Sequence, residues 1–374
     1  MRIVIDARMY GLEHAGIGRY VLNLVKELEK KDKKNDYYLL LRKNYYQKLS
    51  FKNKKFKKIL ADIPHYSVKE QLLLPKIIKK IKPDLVHFPH FNVPLFYQGK
   101  YIVTIHDLIK HQSKGKETTT RLPFLYWPKY VLYRLIIFLA IKRARRIITP
   151  SQYWQKELIK RYQVKPEKIT VTYEGADEFL KQKTKKDNQT VLKEYNITKP
   201  FVIYTGNLYP HKNVLRLVKA IALFNQTKKE KLTLVIACSR DLFLERFEKE
   251  MEKIKGEIQV ILAGFVPTEE LISLYQESEA FVTPSLLEGF GLPGLEAMAS
   301  GTPVIASNAS CLPEIYSDAA LYFDPLNIKD MAEKIKAVIN HPRKRQELIK
   351  KGKEQVKKYS WEKMAKETLK VYRM

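Results

Sequence analysis

Short apolar runs of four to six residues recur along the chain, separated by longer stretches in which apolar positions fall with helical spacing. The short runs predict strands buried on both faces and the longer stretches predict helices lying on them. Their alternation predicts a doubly wound α/β protein with parallel sheets. A first series of strands is expected at Arg2–Ala7, Tyr37–Leu41, Asp84–Phe88, Tyr101–Ile105, Arg146–Thr149 and Ile169–Tyr173. A second follows at Phe201–Thr205, Leu232–Ala237, Ile258–Leu262, Ala280–Thr283, Pro303–Ser307 and Ala320–Phe323. Between them, Lys181–Asn188 is polar and Lys-rich with no apolar period, which reads as an exposed connection. The expected domains are therefore 1–195 and 196–358. Near the end, Ser360 can cap an amphipathic helix Trp361–Val371, whose apolar side carries Trp361, Met364, Ala365, Thr368, Leu369 and Tyr372. Residues 359–374 are expected to return to the N-terminal domain.

A chain of 374 residues, 45% hydrophobic, has enough apolar material for two cores. Cys238 and Cys311 are too few for a disulfide framework, and Met1-Arg-Ile-Val-Ile-Asp6 reads as a charged strand opening and not as a signal peptide. The expected compartment is the cytoplasm. The best apolar run, Leu135–Ile141, is bounded by Arg134 and Lys142 and is too short to span a bilayer.

Charge changes this picture. The net charge is +29, and residues 1–180 hold 37 Lys+Arg against 16 Asp+Glu, leaving 32 against 24 for the rest. Within the basic half, residues 41–80 carry 12 against 2 and residues 121–146 carry 7 against none. Such a field attracts anionic lipid, nucleic acid or other polyphosphates, and charge alone does not choose among them. The mixed aromatic, apolar and basic segments Lys69–Lys82 and Arg121–Arg134 fit an anionic membrane surface and equally fit core helices with solvated faces.

Three segments carry candidate chemistry. Glu288-Gly-Phe-Gly-Leu-Pro-Gly-Leu-Glu296 sets two carboxylates eight positions apart around a glycine turn that opens a helix. Gly289 and Gly291 allow a tight turn, Pro293 suits a helix start, and the first-turn N–H groups form an anion site fit for a pyrophosphate. Glu288 and Glu296 can accept hydrogen bonds from sugar hydroxyls. In the second segment, Lys212 follows the strand Phe201–Thr205 and can neutralise a departing diphosphate, the role a metal plays elsewhere. In the third, His106 stands at the carboxyl end of Tyr101–Ile105, where it can bond a sugar hydroxyl. Ala15-Gly16-Ile17-Gly18 is a further glycine turn feeding a helix, but Val21 stands where a dinucleotide fingerprint needs its third glycine. The histidines form no metal-ligand spacing and no Asp-x-Asp occurs, so neither a metal nor another cofactor is expected.

With these residues in view, the chain resembles the retaining glycosyltransferases of family 4, which have the GT-B fold of two Rossmann-like domains facing a central cleft. The resemblance runs from Ala15–Tyr20 through His106-Asp107, Pro150–Lys156, Tyr173–Asp177, Lys212-Asn213, Ala263–Val266 and Glu288–Glu296 to Thr302–Ala306 and Ser360-Trp361. It implies that Glu296 binds the nucleotide ribose, Glu288 the donor sugar and Lys212 the pyrophosphate. It further implies that Gly291 and Leu292 offer backbone N–H groups beside Phe290, that Gly264, Phe265 and Val266 line the base, and that Gly16 closes the phosphate side. His106 would sit near the anomeric centre. Asn207 stands where family members often carry Arg, and Ala15 replaces the first glycine of a usual pair. The implied activity is metal-independent transfer of a hexose, of mannose or glucose type, from a nucleotide-diphosphate sugar to a glycan or lipid-linked acceptor, with retention. The competing readings are another GT-B-like enzyme, an epimerase or phosphorylase, and a basic nucleic-acid-binding protein, which leaves Glu288, Glu296 and Lys212 without a role.

Overall fold

Every strand pairing is parallel, and the strands gather into two sheets. The computed structural model describes residues 1–115, 119, 123–176, 179, 186–226, 229–238, 242–254 and 258–374, with backbone only at 123–125. The chain first runs through β1 (Arg2–Asp6), α1 (Ala15–Lys31), β2 (Asp36–Leu41), α2 (Lys43–Lys48), β3 (Phe56–Leu60), α3 (Val68–Ile81), β4 (Leu85–Phe88), β5 (Tyr101–Thr104), α4 (Ile109–Gln112), α5 (Pro123–Arg143), β6 (Arg146–Thr149), α6 (Gln152–Tyr162) and β7 (Ile169–Val171). It continues through α7 (Asn188–Glu194), β8 (Phe201–Thr205), α8 (Val214–Asn225), β9 (Thr233–Ala237), α9 (Leu244–Met251), β10 (Val260–Leu262), α10 (Thr268–Glu277), β11 (Ala280–Thr283), α11 (Leu292–Ala299), β12 (Val304–Ser307), α12 (Leu312–Tyr316), β13 (Ala320–Phe323), α13 (Ile328–Asn340), α14 (Pro342–Val356) and α15 (Trp361–Arg373).

Met1–Leu108, Leu122–Gly175 and Trp361–Met374 form one unit, and Ile109–Arg121 with Ala176–Ser360 the other. The second unit thus begins before the boundary expected near 195. The reason is α7, which buries Val191 and Leu192 and is tied to α10 by Asn188 on Glu277 and Lys186 on Glu270. The connection expected at Lys181–Asn188 lies outside the described residues as far as 185, and Asn188 already belongs to α7.

The first sheet has the order β3-β2-β1-β4-β5-β6-β7 and the second β10-β9-β8-β11-β12-β13. In each, the chain winds outward one way from the first strand, returns beside that strand and winds out the other way. The reversal falls between β1 and β4 in the first sheet and between β8 and β11 in the second. Right-handed crossovers put α1 on one face of the first sheet and α3, α5 and α6 on the other. The central strands are buried on both faces, Ile3, Val4 and Ile5 of β1 among them, which is why they read as continuous apolar runs. β3 was not expected: it is an edge strand whose Lys57 and Lys58 break the apolar run. The six apolar-side residues expected on α15 are all buried, the helix packs on α1, and Tyr372 Oη meets Nδ1 of buried His87 at 2.7 Å.

Beneath the first reversal lies a buried ion cluster. Arg8 donates to Asp6 Oδ2 at 2.7 Å and Glu70 Oε1 at 2.6 Å, with neither Arg8 nor Glu70 reaching solvent. Asn92 and the Tyr66 amide complete Glu70. The cluster pins α3 to the end of β1. Burial pushes the carboxyls of Asp6 and Glu70 up, but Arg8 and the surrounding donors hold both below the usual range.

Arg8→Met leaves two buried carboxylates without their cation and is expected to destabilise the protein by about 3–5 kcal/mol in chemical denaturation. Because both folded-state pKa values lie below the unfolded ones, the wild-type cluster stabilises fully above about pH 5 and loses its contribution as pH falls through and below about 4. Comparing denaturation midpoints of wild type and Asp6→Asn/Glu70→Gln across that range checks the sign, since only the wild type should show this steepened loss.

Candidate functional site

In open parallel sheets, ligands bind beyond the carboxyl ends of the strands where the winding reverses. In the second unit that place lies between β8 and β11. The loop after β8 carries Asn207 and Lys212, and the loop after β11 carries Glu288 and leads into α11. Lys212 Nζ donates to both oxygens of Glu288, each at 2.7 Å, with both side chains largely buried. Ser285 Oγ adds a bond to Glu288 Oε1 at 2.7 Å.

The pair is held from both sides. Asn213, buried and in the left-handed region at φ 62°, donates to the carbonyls of Pro284 and Pro325. The Leu286 amide donates to the His211 carbonyl at 2.8 Å, so the two loops are stitched directly. On the far side, Ser310 Oγ accepts from the Glu288 amide and donates to its carbonyl. His211 beside the lysine is pushed down to about 4 by burial and by the Lys212 charge.

At the start of α11, Gly291 takes φ 94°, which a side chain tolerates poorly. A Cβ at Gly291 or Gly294 would also fall within 2.6 Å of Tyr316 Oη, which donates to the Gly291 carbonyl. The glycines thus let the helix start seat on Tyr316. Gly289 is not among the residues at positive φ, so the turn expected of two glycines rests on Gly291. Leu292 opens the helix, whose first-turn N–H groups have no partner within it. Glu296 is buried one turn in. Phe290 is buried, its ring edge-on against Tyr359 at 5.7 Å.

After edge strand β10, Gly264 takes φ 68° with open space at its Cβ position, Val266 is buried and Phe265 is 71% exposed, a flat apolar surface of the kind on which a base stacks. Asn207 is exposed, and its carbonyl accepts from Tyr204 Oη at 2.7 Å.

Two further residues expected at the site lie in the first unit. Gly16 sits in the first turn of α1 with open space around it, whereas a Cβ on Gly18 would strike the Gly11 carbonyl at 1.8 Å. Ala15 takes φ 51°, strained for alanine and natural for the glycine it replaces in the resemblance. His106 follows β5. Its Nδ1 lies 3.2 Å from Glu174 Oε1 and its Nε2 3.0 Å from the Pro89 carbonyl, with Tyr20 edge-on at 4.8 Å. Both partners can accept, so each ring nitrogen has an acceptor within hydrogen-bond reach. Burial pushes His106 down, but Glu174 and the Pro89 carbonyl together carry it above the ordinary histidine value. Glu174 had no role in the sequence reading. It stands in Tyr173–Asp177, of which Asp177 lies outside the described residues.

Glu174→Gln removes the charge that opposes burial, so the His106 titration is expected to fall from above the ordinary value of about 6.5 to below it. Proton NMR of the histidine Cε1–H signals reads this directly, and an unchanged midpoint would contradict the pairing.

Comparison with known proteins agrees with both halves. The family model described as Glycosyltransferase Family 4 matches residues 14–178, and the model described as Glycosyl transferases group 1 matches residues 182–355. O-antigen chain mannosyltransferase B of Escherichia coli is 25% identical over 100% of both chains. Among solved structures, sucrose-phosphate synthase from Thermosynechococcus elongatus superposes with TM-score 0.75 at 19% identity, covering 100% of this chain and 98% of that one. Anabaena HepE in complex with UDP-glucose superposes with TM-score 0.73 at 16% identity over 100% of both. Two Rossmann-like sheets, the Glu288–Glu296 helix start answered by Lys212, and two family models that divide the chain between them lead to one placement: the chain belongs to the family 4 type of glycosyltransferases, with the two Rossmann-like domains of the GT-B class.

Proposed function

We propose that the protein transfers a hexose, mannose in the first instance, from a nucleotide-diphosphate sugar to a growing cell-surface glycan or its lipid-linked form. In this reading it works in the cytoplasm, with retention at the anomeric carbon and without a divalent metal. The observation that carries this is the Lys212–Glu288 pair at the second sheet's reversal, in front of the α11 start. Mannose as the sugar and polysaccharide as the product draw on the mannosyltransferase relative, and the nucleotide sugar on the UDP-glucose complex of HepE.

The chemistry follows from charge. Without ligand, Glu288 neutralises Lys212. An arriving diphosphate brings more negative charge than one carboxylate, so Lys212 turns to it, and the first-turn N–H groups of α11 supply the rest of the positive field. Glu288, released and still fixed by Ser285 and Ser310, then accepts hydrogen bonds from hydroxyls of the donor sugar. Glu296 takes the ribose and Phe265 the base. As the bond from the anomeric carbon to the diphosphate oxygen breaks, its electron pair goes to the diphosphate. The acceptor oxygen bonds to the anomeric carbon on the same face and yields its proton to the departing diphosphate. Stabilisation of that leaving charge by Lys212 is greatest in the transition state, where it lowers the barrier.

Nucleotide release measured over a panel of UDP-, GDP- and ADP-sugars should single out one donor, with a rate unchanged by EDTA. Lys212→Met should lower kcat by about a hundred- to a thousandfold. Proton NMR of the first-formed product should find the donor's anomeric configuration kept. An inverted product, or a sugar covalently attached to a carboxylate of the protein, would overturn the mechanism.

A further inference from the structure

The loop that carries Lys212 has a second neighbour within its own unit. Leu208, Tyr209, Pro210 and Asn213 line a cavity of about 400 Å³, which neither Lys212 nor Glu288 lines. That volume lies in the range of small-molecule sites. The cavity is set between α8 and α9, which pack against each other.

Its walls join two chemistries. Phe243 and Phe247 are buried, and half-buried Tyr209 sets its ring 4.7 Å from that of Phe243, so one side is flat and aromatic. Cations converge on it from both helices: Arg216 and Lys219, one turn apart on α8, and Arg246 on α9. Among the described lining residues the one carboxylate is Glu250, and Lys253 engages it at 2.8 Å. The field in the cavity is therefore positive, and together with the aromatic wall it matches a dianion carried on a flat apolar ring. Arg216 gives one N–H to Asn213 Oδ1 at 2.7 Å, and the rest of its planar fork suits a phosphate.

We propose that this cavity binds a phosphate monoester carried on an aromatic ring, and that its occupancy is felt at Lys212. The link is Asn213. Its Nδ2 donates to the carbonyls of Pro284 and Pro325, and its Oδ1 is held by Arg216. A phosphate that draws Arg216 to itself leaves that buried oxygen without its donor. The tie between the Lys212 and Glu288 loops then weakens, and with it the seat of a diphosphate at Lys212. By reciprocity, a nucleoside diphosphate at Lys212 disfavours the ring phosphate by the same factor. Binding of the ring phosphate stands apart from the transfer reading, and only the coupling rests on it.

The test is calorimetric titration of the full chain with phenyl phosphate, and with phenol and inorganic phosphate separately. Phenyl phosphate should bind Lys212→Met, in which the diphosphate seat is weakened, and phenol and phosphate should each bind more weakly than phenyl phosphate. Lys219→Glu, at an exposed position, should lower phenyl phosphate affinity about tenfold or more while leaving the thermal melt and nucleoside diphosphate binding unchanged. In the wild type, saturating phenyl phosphate should raise the Kd of the nucleoside diphosphate about fivefold or more, and Lys219→Glu should remove that rise. No binding to Lys212→Met, or binding indifferent to Lys219→Glu, would overturn the site. An unchanged nucleoside diphosphate Kd would overturn the coupling, as would a rise that persists in Lys219→Glu, which marks competition at the donor seat. Absence of nucleoside diphosphate binding altogether would overturn the transfer reading and the coupling and leave the site standing.

Discussion

Lys212 and Glu288, 76 residues apart in sequence, meet because β8 and β11 are neighbours in a sheet whose chain leaves them in opposite directions. Diverging connections open a gap at the carboxyl ends of those strands, and each strand's following loop delivers one residue into it. Much else in the second unit keeps that gap in register. Asn213 and the Leu286 amide tie the loops to each other, Ser310 fixes the Glu288 backbone, and Tyr316 holds α11 by the Gly291 carbonyl. A salt bridge this enclosed contributes little net stability, since desolvation offsets most of the attraction. It stands at the sheet's reversal, and in the function proposed above its lysine is a cation held ready until a stronger anion arrives.

The first unit repeats the same topology with a different filling. Its reversal between β1 and β4 is closed by Arg8 between two carboxylates, a fully committed cluster, and His106 one strand further on is engaged at both nitrogens. The second unit's reversal thus carries a single lysine–carboxylate pair, while the first carries an arginine between two carboxylates.

The sequence made the strands legible because parallel strands buried on both faces leave unbroken apolar runs, and β3 escaped because a lysine-bearing edge strand does not. The places of Lys212, Glu288 and Glu296 in the fold were legible because each sits near a strand end or helix start that has a local signature. Glu174 had no such signature: its partner His106 is 68 residues away, and only the pairing of β5, β6 and β7 brings the two together. Gly294 had no role in the sequence reading and Gly18 only a place in a turn, and they answer to Tyr316 and to the Gly11 carbonyl, contacts that exist only after folding. Phe290, expected beside the donor, has a buried ring, and an aromatic beside glycines reads alike in a core and in a binding turn.

The central claim is that Glu288 competes with the donor's diphosphate for Lys212, and calorimetric titration of UDP, GDP and ADP tests it most directly. The account predicts that one nucleoside diphosphate binds the wild type, that Lys212→Met weakens it by about tenfold or more, roughly 1.4 kcal/mol, and that Glu288→Gln binds it as well or better. Equal weakening by Lys212→Met and Glu288→Gln, or no weakening by Lys212→Met, would contradict it.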